Sequence, residues 1–174
     1  MKLDKYARDL ALWRDWAAIN YSAAKVLFEN NAPFLLFPAA TLGHHALEMY
    51  LKSALIANGM AVFDPKKIKR LDAGTNLAAD DCVWGHNLVE LAKVLEKRRP
   101  EFRLSDQMPV VGYVVMKEPM TVEEGLSIFD PFFAELRYPR EMKKVQGLGG
   151  EHKILLDSLV RELRHARFQW NQFP

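Results

Sequence analysis

The chain has 174 residues, 49% of them hydrophobic and 26% charged, a globular composition rather than a disordered or fibrous one. With 24 Lys+Arg against 22 Asp+Glu the net charge is +2, which excludes a bulk field steering the molecule to nucleic acid or anionic lipid and makes any basic surface local. A lone cysteine, Cys82, cannot close an intramolecular disulfide or build a cysteine metal site. The first residues carry no uninterrupted apolar run and no window of 18 apolar residues occurs, so the expectation is one cytoplasmic domain spanning 1–174, with no membrane segment.

From Leu3 to about Glu29, the residues Leu3, Tyr6, Ala7, Leu10, Trp13, Ala17, Tyr21, Ala24, Leu27 and Phe28 recur at spacings of three and four, which predicts one long amphipathic helix. Asn30, Asn31 and Pro33 end it. A second helix is expected from near Phe34 to Pro38 through Asn58, with Gly59 at its left-handed cap. That helix is apolar almost all round, through Leu42, Ala46, Leu47, Met49, Tyr50, Leu51, Ala54 and Leu55. Its polar exceptions, Thr41, His44, His45, Glu48 and Lys52, fall within about 100° of one another and form a stripe.

Residues 61 to 85 read as an irregular excursion: Asp64-Pro65 opens a turn, and Lys66, Lys67, Lys69 and Arg70 make a basic cluster. Asn87 is placed to cap a third helix to about 98, with Glu90 at its third position and Leu88, Leu91, Ala92 and Leu95 on its apolar face. The β-branched run 109–116 predicts an extended segment. Thr121-Val-Glu-Glu124 and Asp130-Pro131 each open a helix, the latter reaching Tyr138. After a glycine-rich link at 146–150, a last helix is expected over 151–168, burying Ile154, Leu155, Leu159, Leu163 and Ala166. Together these elements predict an all-α antiparallel bundle of four to five helices, with Leu10, Trp13, Ala17, Leu42, Ala46, Met49, Leu91 and Leu159 in its core.

The chemistry on offer is sparse. Phosphate-loop, dinucleotide, zinc-protease and serine-hydrolase signatures are all missing. His44 and His45 point about 100° apart, and no further ligand is spaced to complete a tetrahedral shell, so neither a metal nor a cofactor is expected. Glu48 and Lys52 are the better constellation, an acid four places before a base on one helical ridge. Exposed, such a pair is worth about 0.2–0.5 kcal/mol; on a helix apolar nearly all round it needs partners. His86 and Arg137 are the candidates. Near the C-terminus, Arg161, Arg164 and His165 share a helical face and could meet a phosphate, in a stretch from Arg137 onward with eight Lys+Arg and four acids.

The run His44-His-Ala-Leu-Glu-Met-Tyr-Leu-Lys52, then Gly85-His-Asn-Leu and later Arg137-Tyr138-Pro139 before a final helix, resembles the HEPN family, helical bundles named for nucleotide binding in higher eukaryotes and prokaryotes. The resemblance covers most of the chain in the family's order. It implies an up-down bundle that often dimerises and acts in RNA cleavage, in toxin–antitoxin pairs with a minimal nucleotidyltransferase, or in sensing nucleotides and stress ligands. The family's nuclease pattern, an arginine followed by four to six residues and a histidine, has no match: Arg161 and His165 are separated by only three residues, with Glu162 beside the arginine. No catalytic residue is therefore carried over.

Three functions follow as expectations. The first is a non-catalytic HEPN-like module binding nucleotide, RNA or a partner protein through His44, His45, Glu48, Lys52, His86, Arg137 and Tyr138. The second is a ribonuclease with a reorganised site, in which Arg161 steers phosphate and His165 moves the proton. The third is a structural homodimer.

Overall fold

The computed structural model describes residues 5–30, 32–72, 75–108, 119–134 and 149–165. Local capping decides where the first helix begins. Asp9 Oδ1 accepts from the Leu12 amide at 3.0 Å, satisfying one of the donors a helix start leaves open, so helix α1 runs Leu10–Asn30 and not from Leu3. The preceding residues Lys5–Arg8 form a separate 3-10 turn. The Trp13 indole N–H, donating to the Tyr6 carbonyl at 2.9 Å, folds that turn back on the helix.

Helix α2 spans Pro33–Ala57, starting just ahead of the expected 34–38. Proline suits a first helical position because its missing N–H has no partner there anyway, and Ala32 before it is extended, at φ −77° and ψ 128°, as the residue preceding proline prefers. Gly59 follows the helix with φ 84°, in the left-handed region where glycine pays no Cβ penalty. Most of α2 from Ala39 to Ile56 is buried. It packs against α1, α3 (Leu88–Arg98), α4 (Val122–Phe129), α5 (Pro131–Ala134) and α6 (Gly150–His165). The chain is thus an all-α helical bundle, and no helix among the described residues is long and apolar enough to cross a membrane.

The excursion at 61–85 is more ordered than its composition predicts. Strand β1 (Ala61–Val62) pairs in parallel with β2 (Cys82–Val83), Ala61 opposite Cys82 and Val62 opposite Val83. Between them lie 3-10 turns at Pro65–Arg70 and Ala79–Asp81, the first started by Asp64, whose side chain accepts from the Lys66 amide at 3.0 Å. Two-residue ladders have no period for sequence to reveal. The extended segment expected at 109–116 lies outside the described residues; beside it, β3 (Gln107–Met108) pairs antiparallel with β4 (Met120–Thr121).

The later helix starts follow their caps. Asn87 accepts from the Glu90 amide at 2.7 Å, and Thr121 and Glu124 cap each other reciprocally at the head of α4; caps of this kind contribute about 1 kcal/mol each. The Leu88 amide donates to Asp130 Oδ1 at 2.5 Å, joining the start of α3 to the α4–α5 corner. The expected continuation of α5 to Tyr138 and of α6 to 168 lies outside the described residues. Ala17, Ala46, Leu91 and Leu159 are buried, whereas Leu10, Trp13, Leu42 and Met49 are half-buried against the core. On α6, Leu156 and Val160 are buried and Ile154 is half-buried. Helix α4 approaches closely: a Cβ on Gly43 would lie 2.9 Å from Phe129 Cε1, and one on Gly125 2.7 Å from Met108 Cε.

Candidate functional site

The polar stripe of α2 converges on one carboxylate. Glu48 and Lys52 are only 4% and 3% exposed, and Lys52 Nζ donates to Glu48 Oε1 at 2.5 Å. His86 reaches in from the segment ahead of α3, its Nδ1–H donating to Oε1 and Oε2 at 3.0 and 3.1 Å. Gly85, at φ 119°, makes the turn that aims it, a backbone conformation other residues rarely adopt. His44 Nε2 lies 3.7 Å and His45 Nδ1 3.9 Å from Oε2. His44 is fully buried and fixed on its far side, where Nδ1–H donates to the Phe129 carbonyl at 2.9 Å; a carbonyl only accepts, so the proton is on Nδ1.

Burial alone would raise the Glu48 carboxyl, but the neighbouring His44 ring, the Lys52 charge and the hydrogen bonds from Lys52 and His86 overcome it and hold the group at about 2. The carboxylate is therefore anionic across the ordinary pH range. Burial pushes the His45 imidazole below its usual 6.5, and the Glu48 charge partly restores it.

A cavity of about 520 Å³ opens over this cluster, within the size range of small-molecule sites. Its floor carries Glu48 and Lys52, and its walls carry four aromatic residues from separate segments: Tyr6, Trp13, Phe63 and Trp84. The Phe63 amide donates to the Val83 carbonyl at 3.0 Å, extending the β1–β2 ladder and bringing Phe63 and Trp84 to the rim. Ammonium groups accompany the rings: Lys52 over Trp13 at 5.3 Å, Lys67 over Trp84 at 5.7 Å and Lys5 over Tyr6 at 4.7 Å. Alternating rings and cations suit a ligand that is both planar and anionic.

His44, His45, Glu48, Lys52 and His86 are thus brought together. Arg137, Tyr138 and the His165 side chain lie outside the described residues. Arg161 Nε is 3.8 Å from Glu162 Oε1. Arg164, itself exposed, donates to the Tyr50 hydroxyl at 2.7 Å and lies 5.4 Å from the Tyr21 and Tyr50 ring centres. Tyr21 in turn donates to Asp157 Oδ1 at 2.6 Å, and burial together with that carboxylate pushes its phenol well above the usual 10. This second network ties α6 to α1 and α2, away from the cavity wall. Tyr6, read from sequence as part of a helix face, Lys67, read as part of a basic cluster, and Phe63 and Trp84 were not expected at this site; the interleaving of lysines and a tryptophan across 64–86 is a signal for Lys67 and Trp84 alone.

Among the described residues, no group of three or more His, Cys, Asp or Glu side chains is placed to hold a metal ion. Comparison with protein-family models, curated proteins and solved structures finds no match for the chain.

Proposed function

We propose that the chain is a non-catalytic, HEPN-like binding module that takes a nucleotide, free or as part of an RNA, in the cavity over Glu48 and Lys52. The observation that carries this is the desolvated Lys52 ammonium at the floor of a chamber walled by rings and further cations. A partner of the minimal nucleotidyltransferase type, in the manner of a toxin–antitoxin pair, belongs to the same reading through the family resemblance alone. The test is titration with adenine and guanine nucleotides, followed by tryptophan fluorescence. Binding is expected to weaken steeply between low and physiological salt and about tenfold in Trp84→Ala, since stacking on one ring contributes about 1–3 kcal/mol. Trp84 is 56% exposed, so its loss leaves the fold intact. No binding at low salt rules the reading out, and RNA cleavage abolished by His165→Ala would establish the ribonuclease instead.

A structural homodimer is the second reading, favoured by one observation. Trp16, Ile19 and Val26 are each more than half exposed, and their spacings of three and seven put them on one face of α1. Sedimentation at micromolar concentration is expected to show a dimer that Ile19→Glu with Val26→Glu converts to monomer. A wild-type monomer at every concentration removes this reading and leaves the cavity untouched.

A further inference from the structure

The charges lining the cavity are spent on one another. Glu48 is held by Lys52 at 2.5 Å and by His86 at 3.0 Å, and Asp64, the other carboxylate of the lining, lies 3.6 Å from Lys67. An ion brought in beside them competes with pairs already made and pays the desolvation cost of a further buried charge. Apart from these groups and His45, the lining is the four rings together with Ala7, Met49 and Val62. Such a chamber suits the uncharged, planar part of a ligand.

Just outside lie cations of a different standing. Lys67 belongs both to the lining and to the 3-10 turn Pro65–Arg70, on which Lys66, Lys69 and Arg70 are exposed. Residues three apart eclipse in such a turn, so Arg70 shares a face with Lys67 and Lys69 shares one with Lys66, while Ile68 is half-buried. Among the described residues none of Lys66, Lys69 and Arg70 is paired with a carboxylate; Asp81, on the neighbouring 3-10 turn, is taken by Arg98 at 3.2 Å. At about 2 Å per residue the turn extends about 12 Å, so its cations form a file and not a point. Trp84 is 56% exposed with Lys67 5.7 Å over its ring, and stands where chamber and turn meet.

We propose, resting on the binding function above, that the occupant is one nucleotide of a single-stranded nucleic acid, its base turned into the cavity among the rings and its backbone lying outside along the Pro65–Arg70 turn. The bases of a single strand splay out and stack on aromatic side chains, which matches a chamber that is aromatic and internally neutralised. Its phosphates recur along the chain, which matches a file of exposed cations. A free mononucleotide carries one phosphate group and leaves most of that file unused.

Calorimetric titration of the full chain tests both halves of this arrangement, using adenosine, AMP, an eight-nucleotide oligoadenylate and an abasic strand of the same length. The oligoadenylate is expected to bind at least about tenfold more tightly than either AMP or the abasic strand. Trp84→Ala should weaken adenosine and oligoadenylate alike, by about tenfold. Lys66→Gln, Lys69→Gln and Arg70→Gln together, in a variant whose folding is checked by circular dichroism, should leave adenosine unchanged. The same variant should lower the slope of log affinity against log salt for the oligoadenylate by about 2, since each phosphate contact on a single strand contributes about 0.7. An oligoadenylate no tighter than AMP, or a slope the triple variant does not move, takes the backbone off the turn. An abasic strand as tight as the oligoadenylate takes the base out of the cavity. Each of these overturns the inference, and AMP binding then shows whether nucleotide binding itself stands. Silence from every probe overturns both.

Discussion

Replacing Glu48 with glutamine is expected to lower the unfolding free energy by about 3–5 kcal/mol, the cost of leaving one partner of a buried ion pair uncompensated. The change removes the charge facing Lys52 at 2.5 Å and the anionic acceptor that His86 uses. Removing both charges should be milder than removing one, because apolar groups of similar volume often replace a buried pair at little cost. Glu48→Leu combined with Lys52→Met is therefore expected to be less destabilising than the sum of the single changes in a urea titration; simple additivity would mean that the two side chains are not coupled. The pH dependence has a definite sign. A carboxyl held at about 2 against an ordinary 4.5 contributes stability that is present above pH 4.5 and lost as the pH falls toward 2. The amount is about 3 kcal/mol. The acid limb of the stability curve should be correspondingly flatter in Glu48→Gln.

Ala46→Asp is expected to be the most damaging single change in the bundle. Ala46 has no exposed surface, and neighbouring Leu47 has none either, so a carboxylate there would be desolvated among apolar groups with no designed partner. A cost of about 4 kcal/mol or more is the expectation, equivalent to a fall of roughly 8–16 °C in Tm for a chain of this size. An unchanged melting curve would show that this face of α2 is not core.

What could be read from sequence follows from how locally each feature is encoded. The starts of α3 and α4 were legible because Asn87 and Thr121 act within three residues of themselves. The α2 stripe was legible because helical arithmetic places residues on a face without reference to the rest of the chain. The start of α1 was not, because the capping carboxylate of Asp9 overrides an apolar spacing that continues through it. The cavity was illegible for a different reason. Its aromatic walls come from the Lys5–Arg8 turn, α1 and the two ends of the 61–85 excursion, and spacing cannot tell a ring such as Trp13 that lines a chamber from one that fills a core. His86 stood between: its place ahead of a capped helix made it a candidate partner, while the contact itself depends on the Gly85 turn.

The central position of α2 also sets a hierarchy in time. Every other helix among the described residues leans on it, so amides around Glu48 and Lys52 exchange with solvent only when the whole bundle opens. Tyr6, in a four-residue turn, and Trp84, beside a two-residue ladder, belong to units that open locally at far smaller cost. Hydrogen exchange is accordingly expected to be slow at the base of the chamber and fast at its rim, and a rim that opens ahead of the base would be what an occupant leaves through.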